Sequence, residues 1–129
     1  MIRLVQRYFA VLLLAVLVTG CDEDNFSDTP YPRIKTLPAG AVSGAGATLR
    51  AEILSSGTEP IIDHGFYWGT TRYLSDDMGE VVHLAAGTVG QFDANVNATL
   101  IAGQDYYAKA FVATESYVVY GDVVSFRVQ

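Results

Sequence analysis

Residues 92–106 read Phe92-Asp93-Ala94-Asn95-Val96-Asn97-Ala98-Thr99-Leu100 and then Ile101-Ala102-Gly103-Gln104-Asp105-Tyr106. In the first half Phe92, Ala94, Val96, Ala98 and Leu100 alternate with Asp93, Asn95, Asn97 and Thr99. A period of two sends successive side chains to opposite faces, so this stretch predicts a strand with one buried and one wet side. In the second half Leu100 precedes Tyr106 at the start of the next apolar run. That spacing predicts a tyrosine corner, in which the ring packs under the turn and its hydroxyl bonds to backbone a few residues upstream. Such a corner fixes the crossing between two packed sheets.

Outward from this stretch the same period recurs. Ala47, Leu49, Ala51 and Ile53 alternate with Thr48, Arg50 and Glu52, and the run stops at the turn-forming Ser55-Ser56-Gly57. Ile62, His64, Phe66 and Trp68 share a face of the next run, between Pro60 and Gly69. Residues 72–79 are polar and loop-like, and 80–84 suit a short edge strand. Residues 106–114 and 120–128 flank a polar bend at Glu115-Ser116, and 33–37 open the series. The expectation is an all-β chain of about seven short antiparallel strands with turn spacings of roughly 8 to 12 residues. That is the pattern of an immunoglobulin-like β-sandwich, with a small barrel as the competing fold.

The N-terminus has a different grammar. Arg3 and Arg7 precede a nearly continuous apolar run at 8–18, followed by Val18-Thr19-Gly20-Cys21 and then Asp22-Glu23-Asp24. A positive start, a short apolar core and small residues before a cut are the marks of a secretory signal, and the core is too short to cross a bilayer of about 30 Å. The expected organisation is a signal-peptide helix at 1–20, an acidic tether at 21–32 and one folded domain at 33–129. Cys21 is the single cysteine, so internal disulfides are excluded and the domain must be held by its core. The formal net charge is −6, and Arg3 and Arg7 leave with the leader. Nucleic acid and anionic lipid headgroups are therefore disfavoured as partners of the protein surface.

Small residues directly before a lone cysteine resemble the bacterial lipobox. The resemblance implies that Cys21 is acylated and becomes the mature N-terminus, with the membrane as partner through a lipid anchor. Several acyl chains hold a protein stably where one is marginal. Asp22, Glu23 and Asp24 resemble the export signal that sends lipoproteins of the Bacteroidetes to the outer face of the outer membrane. The alternative is a solvated acidic spacer. The expected location is thus the cell envelope, lipid-anchored at the outer membrane and facing the surface.

Residues 100–106 also resemble the Leu-x-Pro-x-x-x-Tyr signature of fibronectin type III domains, with Ala102 in the place of proline. Three further segments are similar to blocks of fibronectin III-like modules in Bacteroidetes surface lipoproteins. These are Asp63-His64-Gly65-Phe66-Tyr67-Trp68, Tyr106-Tyr107-Ala108-Lys109-Ala110-Phe111 and Tyr120-Gly121-Asp122-Val123-Val124-Ser125-Phe126. The resemblance implies a fibronectin III-like sandwich with Leu100 and Tyr106 as its structural corner.

Residues able to do chemistry do not cluster in the sequence. His64 and His83 lack carboxylates at a spacing that would make a metal triad. Asp76, Asp77 and Glu80 crowd one loop without the spacing of a helix-loop-helix calcium site. Ser55, Ser56 and Ser75 lack a nucleophile-elbow context. Asn97-Ala98-Thr99 fits the glycosylation pattern, a coincidence in a bacterial lipoprotein. The expectation is therefore no catalytic residue, no cofactor and no metal.

The aromatic residues are the stronger lead. If Tyr106, Ala108, Ala110 and Val112 face the core, Tyr107, Lys109 and Phe111 face outward, and Tyr67 lies on the outward phase of a neighbouring strand. Tyr67, Tyr107 and Phe111, with Tyr117 in the adjoining loop, are thus a candidate binding patch. The competing reading makes these rings cross-strand pairs that stiffen the sheet, or places the tether over them. Trp68 falls on the inward phase. Together these features predict a non-enzymatic, lipid-anchored envelope module for binding, adhesion or spacing, with a protein or glycan partner. The alternatives are a glycan-binding accessory of a polysaccharide uptake system and a subunit of an envelope or adhesin assembly. A flat aromatic platform would favour glycans, and long uncharged sheet edges would favour assembly.

Overall fold

The computed structural model describes residues 29–129; the leader, Cys21 and Asp22, Glu23 and Asp24 lie outside the described residues. Eight strands follow one another with no helix among them: β1 (Arg33–Ser43), β2 (Gly46–Ser55), β3 (Asp63–Gly69), β4 (Glu80–His83), β5 (Gly90–Asn97), β6 (Asp105–Ala113), β7 (Val118–Tyr120) and β8 (Val124–Arg127). They form two antiparallel sheets. The first has the order β1-β2-β5, and the second runs β4-β3-β6 with β7 and β8 both paired to β6. The sheets pack face to face as a β-sandwich.

The difference between seven expected strands and eight observed ones has a local cause. The run at 120–128 is broken, so β7 covers one end of β6 (Phe111↔Tyr120) and β8 the other (Asp105↔Arg127). At the break the Ala110 N–H donates to the Thr36 hydroxyl of β1 at 3.1 Å, while the Gly121 N–H donates to the Ala110 carbonyl at 2.9 Å. A side chain at Gly121 would place its Cβ 2.3 Å from Thr36 Oγ1. Glycine there lets a β1 side chain reach across to the second sheet, and that closes this side of the sandwich.

The alternation read from the sequence is the alternation of burial. Leu49, Ala51, Ala94 and Val96 of the first sheet meet Phe66, Ala108, Ala110 and Phe126 of the second. Alanines facing large rings give the interdigitation that close packing requires. Phe66 is fully buried, and withdrawing such a side chain from water contributes about 1.5–3 kcal/mol. The corner is formed. Tyr106 is buried, its hydroxyl accepts the Ile101 N–H at 2.8 Å, and its ring stacks on Phe126 at 5.6 Å. Leu100 is buried beside it.

Ile62 departs from its expected phase and is 56% exposed, with Ile61 buried in its place. The pleat begins only at Asp63, so the alternation of β3 does not extend back to Ile62. Trp68 is partly buried against the main core.

Candidate functional site

The outward face of the second sheet carries the aromatic residues. Tyr67 of β3 stands opposite Lys109 of β6, and Phe111 stands opposite Gly65. A Cβ at Gly65 would lie 1.8 Å from the Val82 carbonyl oxygen and 3.1 Å from Phe111 Cε1. The Phe111 ring therefore lies over the glycine, the cross-strand arrangement in which an aromatic ring covers a bare backbone. Tyr67 and Phe111 rings approach to 5.3 Å, and Tyr67 and Tyr120 to 5.9 Å. The Lys109 ammonium sits 4.3 Å from the Tyr120 centroid and 5.6 Å from that of Tyr67. Arg72 lies over Tyr107 at 5.3 Å.

This cluster is not an open platform. Tyr67 is 6% exposed and Phe111 3%, which corrects the expectation of an exposed patch. The phase read from the sequence puts them on the outer face, but the loop at 70–79 folds back onto Tyr67, and the Phe111 ring is flanked by those of Tyr67 and His83 at 5.3 and 5.6 Å. Leu74 is itself buried and belongs to the same small apolar cluster as both rings. The Tyr67 hydroxyl donates to Asp76 Oδ1 at 2.6 Å, and Ser75 and Met78 exchange two backbone bonds of 3.1 Å that tighten the loop. Gly79, at φ +107°, closes it where a Cβ would fall 2.7 Å from the Trp68 carbonyl oxygen. Burial raises the Tyr67 pKa above its ordinary value, and the bond to Asp76 raises it further, because both favour the neutral phenol. Tyr107 remains half-buried at the margin. Tyr117 belongs elsewhere: its ring meets Tyr31 at 6.2 Å, edge to face, where the tether joins the domain.

The sequence reading gives Leu74 no role, and it sets Asp76 among loop carboxylates and Tyr120 in a fibronectin III-like block rather than at this cluster. The signal that points to the loop is the presence of Tyr73, Leu74 and Met78 inside the otherwise polar 72–79 stretch, which a freely solvated loop does not need.

The two histidines are committed to different partners. His64 is buried, with Nδ1 2.7 Å from the Ala85 carbonyl and its ring edge-on to Phe92 at 4.6 Å. A carbonyl only accepts, so Nδ1 is the protonated nitrogen. His83 Nδ1 lies 2.6 Å from Asp63 Oδ2, and Asp63 Oδ1 accepts the His64 and Ala85 N–H groups. This arrangement ties the chain after β4 to the start of β3. Among the described residues no three His, Cys, Asp or Glu side chains converge as a metal site would require.

The first sheet turns a polar face outward. Glu52 stands opposite Gln91, Arg50 opposite Asp93 and Thr48 opposite Asn95. Thr48 Oγ1 donates to Asn95 Oδ1 at 2.8 Å. Two shallow depressions of about 170 and 190 Å³ lie on this side, one beside Arg50 and Asp93 and the other beside Thr48 and Asn97. Both fall below the roughly 300 Å³ at which small-molecule pockets begin. The outer edge of β5 carries no partner strand among the described residues.

No protein-family model matches the chain, and no curated protein matches it. Among solved structures it is similar to the sensor domain of the anti-sigma factor RsgI4 from Pseudobacteroides cellulosolvens. The TM-score is 0.59 at 12% identity, over 78% of this chain and 95% of that domain. That likeness is one of fold.

Proposed function

We propose that this chain is a non-enzymatic, lipid-anchored module of the cell envelope whose fibronectin III-like sandwich binds or spaces protein partners. The observation that carries this reading is the contrast between a covered aromatic face and an open sheet edge. With Tyr67 and Phe111 both buried in one cluster with Leu74, the flat ring platform that would favour a glycan ligand is closed. β5, by contrast, is an edge of eight residues, paired to β2 without a register shift and charged only at Asp93. Such an edge is suited to strand addition. The strand orders β1-β2-β5 and β4-β3-β6-β7 and the corner at Tyr106 support the fibronectin III-like assignment. The fold shared with a sensor domain agrees with a binding role. Lipidation at Cys21 rests on the lipobox resemblance, and surface export through Asp22, Glu23 and Asp24 on the resemblance to the Bacteroidetes lipoprotein export signal.

Protease accessibility on intact cells tests the location. The natural protein should be digested from outside, and alanines at Asp22, Glu23 and Asp24 should abolish digestion. Cys21→Ala should release the chain from membranes. Full protection in intact cells, with cleavage after lysis, contradicts surface display.

A further inference from the structure

We propose that β5 pairs with β5 of a second copy of this chain, antiparallel about a two-fold axis at Ala94, joining two three-stranded sheets into one of six. This deepens the sheet-edge reading above and rests on it.

The available backbone groups follow from the β2–β5 ladder. The Ala98 N–H donates to the Ala45 carbonyl at 3.2 Å, in the same register that pairs Gly46 with Asn97. In an antiparallel ladder, bonded and non-bonded pairs alternate. The even-numbered residues of β5 therefore bond β2, and the N–H and C=O groups of Gln91, Asp93, Asn95 and Asn97 point to the open edge. Because successive side chains alternate, self-pairing must match odd with odd residues. Centring on Ala94 sets Asp93 against Asn95 of the copy and Gln91 against Asn97. All four residues with edge-facing backbone groups are then used on each chain. Shifting the axis to Asp93 sets two aspartates directly opposite, and shifting it to Asn95 leaves Gln91 unpaired.

The side chains agree with that register. Asn95 Oδ1 already accepts the Thr48 hydroxyl, so its amide nitrogen, a donor, is left for the opposing carboxylate. Asp93 has no hydrogen-bond or ionic partner among the described residues, and it is exposed. On the core side Phe92, half-buried at the rim, comes opposite Val96. A single strand pair buries less than the roughly 1,200 Å² of a stable interface, so the dimer belongs to the weak, reversible class.

Sedimentation equilibrium of the full chain in detergent micelles, over a concentration series, is the test. The natural chain should dimerise reversibly. Asn95→Asp keeps an acceptor for Thr48 but sets two aspartate pairs face to face, and it should weaken the dimer about tenfold at low salt. Adding Asp93→Asn exchanges the roles of the two positions and should restore it. A mixture of Asp93→Cys and Asn95→Cys chains should cross-link, and neither chain alone should do so efficiently. A chain that is monomeric at all concentrations, or a dimer indifferent to Asn95→Asp, overturns the inference. If the chain is monomeric yet Asn95→Asp detaches it from another envelope protein, self-pairing fails while the sheet-edge reading survives. If Asn95→Asp changes neither property, both fail.

Discussion

The two sheets treat their outer faces in opposite ways. The second sheet places Tyr67, Phe111, Tyr120 and Lys109 outside and then buries the first two in a small cluster with Leu74 of the loop at 70–79. The first sheet places Thr48, Arg50, Asp93 and Asn95 outside and covers none of them with another strand, so its β5 edge stays open. Large outward rings therefore do not mark a contact surface by themselves. In this fold they are a second small core, and the amide-rich β5 edge is left without a partner strand in its sheet among the described residues.

The largest effect that separates the faces should come from Phe111→Ala. Phe111 is 3% exposed and lies over Gly65, so its loss should destabilise the domain by about 3–5 kcal/mol in denaturant unfolding. A cost within about 0.5 kcal/mol, the level of a surface substitution, would reopen the platform reading. Leu74→Ala should cost about 2–4 kcal/mol and expose the Tyr67 ring to collisional quenchers. If stability falls without new exposure, Leu74 is not the cover.

Tyr106→Phe should cost about 1 kcal/mol, since it removes the acceptor of the Ile101 N–H and keeps the ring. The Tyr67 hydroxyl gives a pH signature. Its folded pKa is raised, so the stability it contributes is fully present below the ordinary tyrosine value of about 10 and is lost as pH rises above it. Unfolding free energy should decline above about pH 10, and Tyr67→Phe should flatten that decline. Smallest of all, Asn95→Asp should change folding stability by less than about 0.5 kcal/mol, because it sits on an exposed strand position.

Much of the framework was legible because strict alternation leaves little choice. The strands at 47–53 and 92–97 and the Leu100–Tyr106 corner follow from period two and a single spacing. The break between β7 and β8 was not legible, because it depends on Thr36, more than 70 residues away in sequence, reaching the Ala110 N–H. The site was half legible. Alternation assigned Tyr67 and Phe111 to the correct face but carries no information on what crosses that face. The loop at 70–79 reads as polar, and nothing in the sequence tells its one buried residue, Leu74, from Tyr73 and Met78, which are exposed. The open edge was legible only after the strand order was known, since no sequence period tells an edge strand from a central one.

Residue-resolved amide exchange of the full chain at low and high protein concentration tests the contrast most directly. The amides of Asp93 and Asn95 should gain protection as concentration rises, while that of Lys109 in β6 should not change. Concentration-independent exchange along β5, or new protection confined to the Tyr67, Tyr107 and Phe111 face, would contradict it.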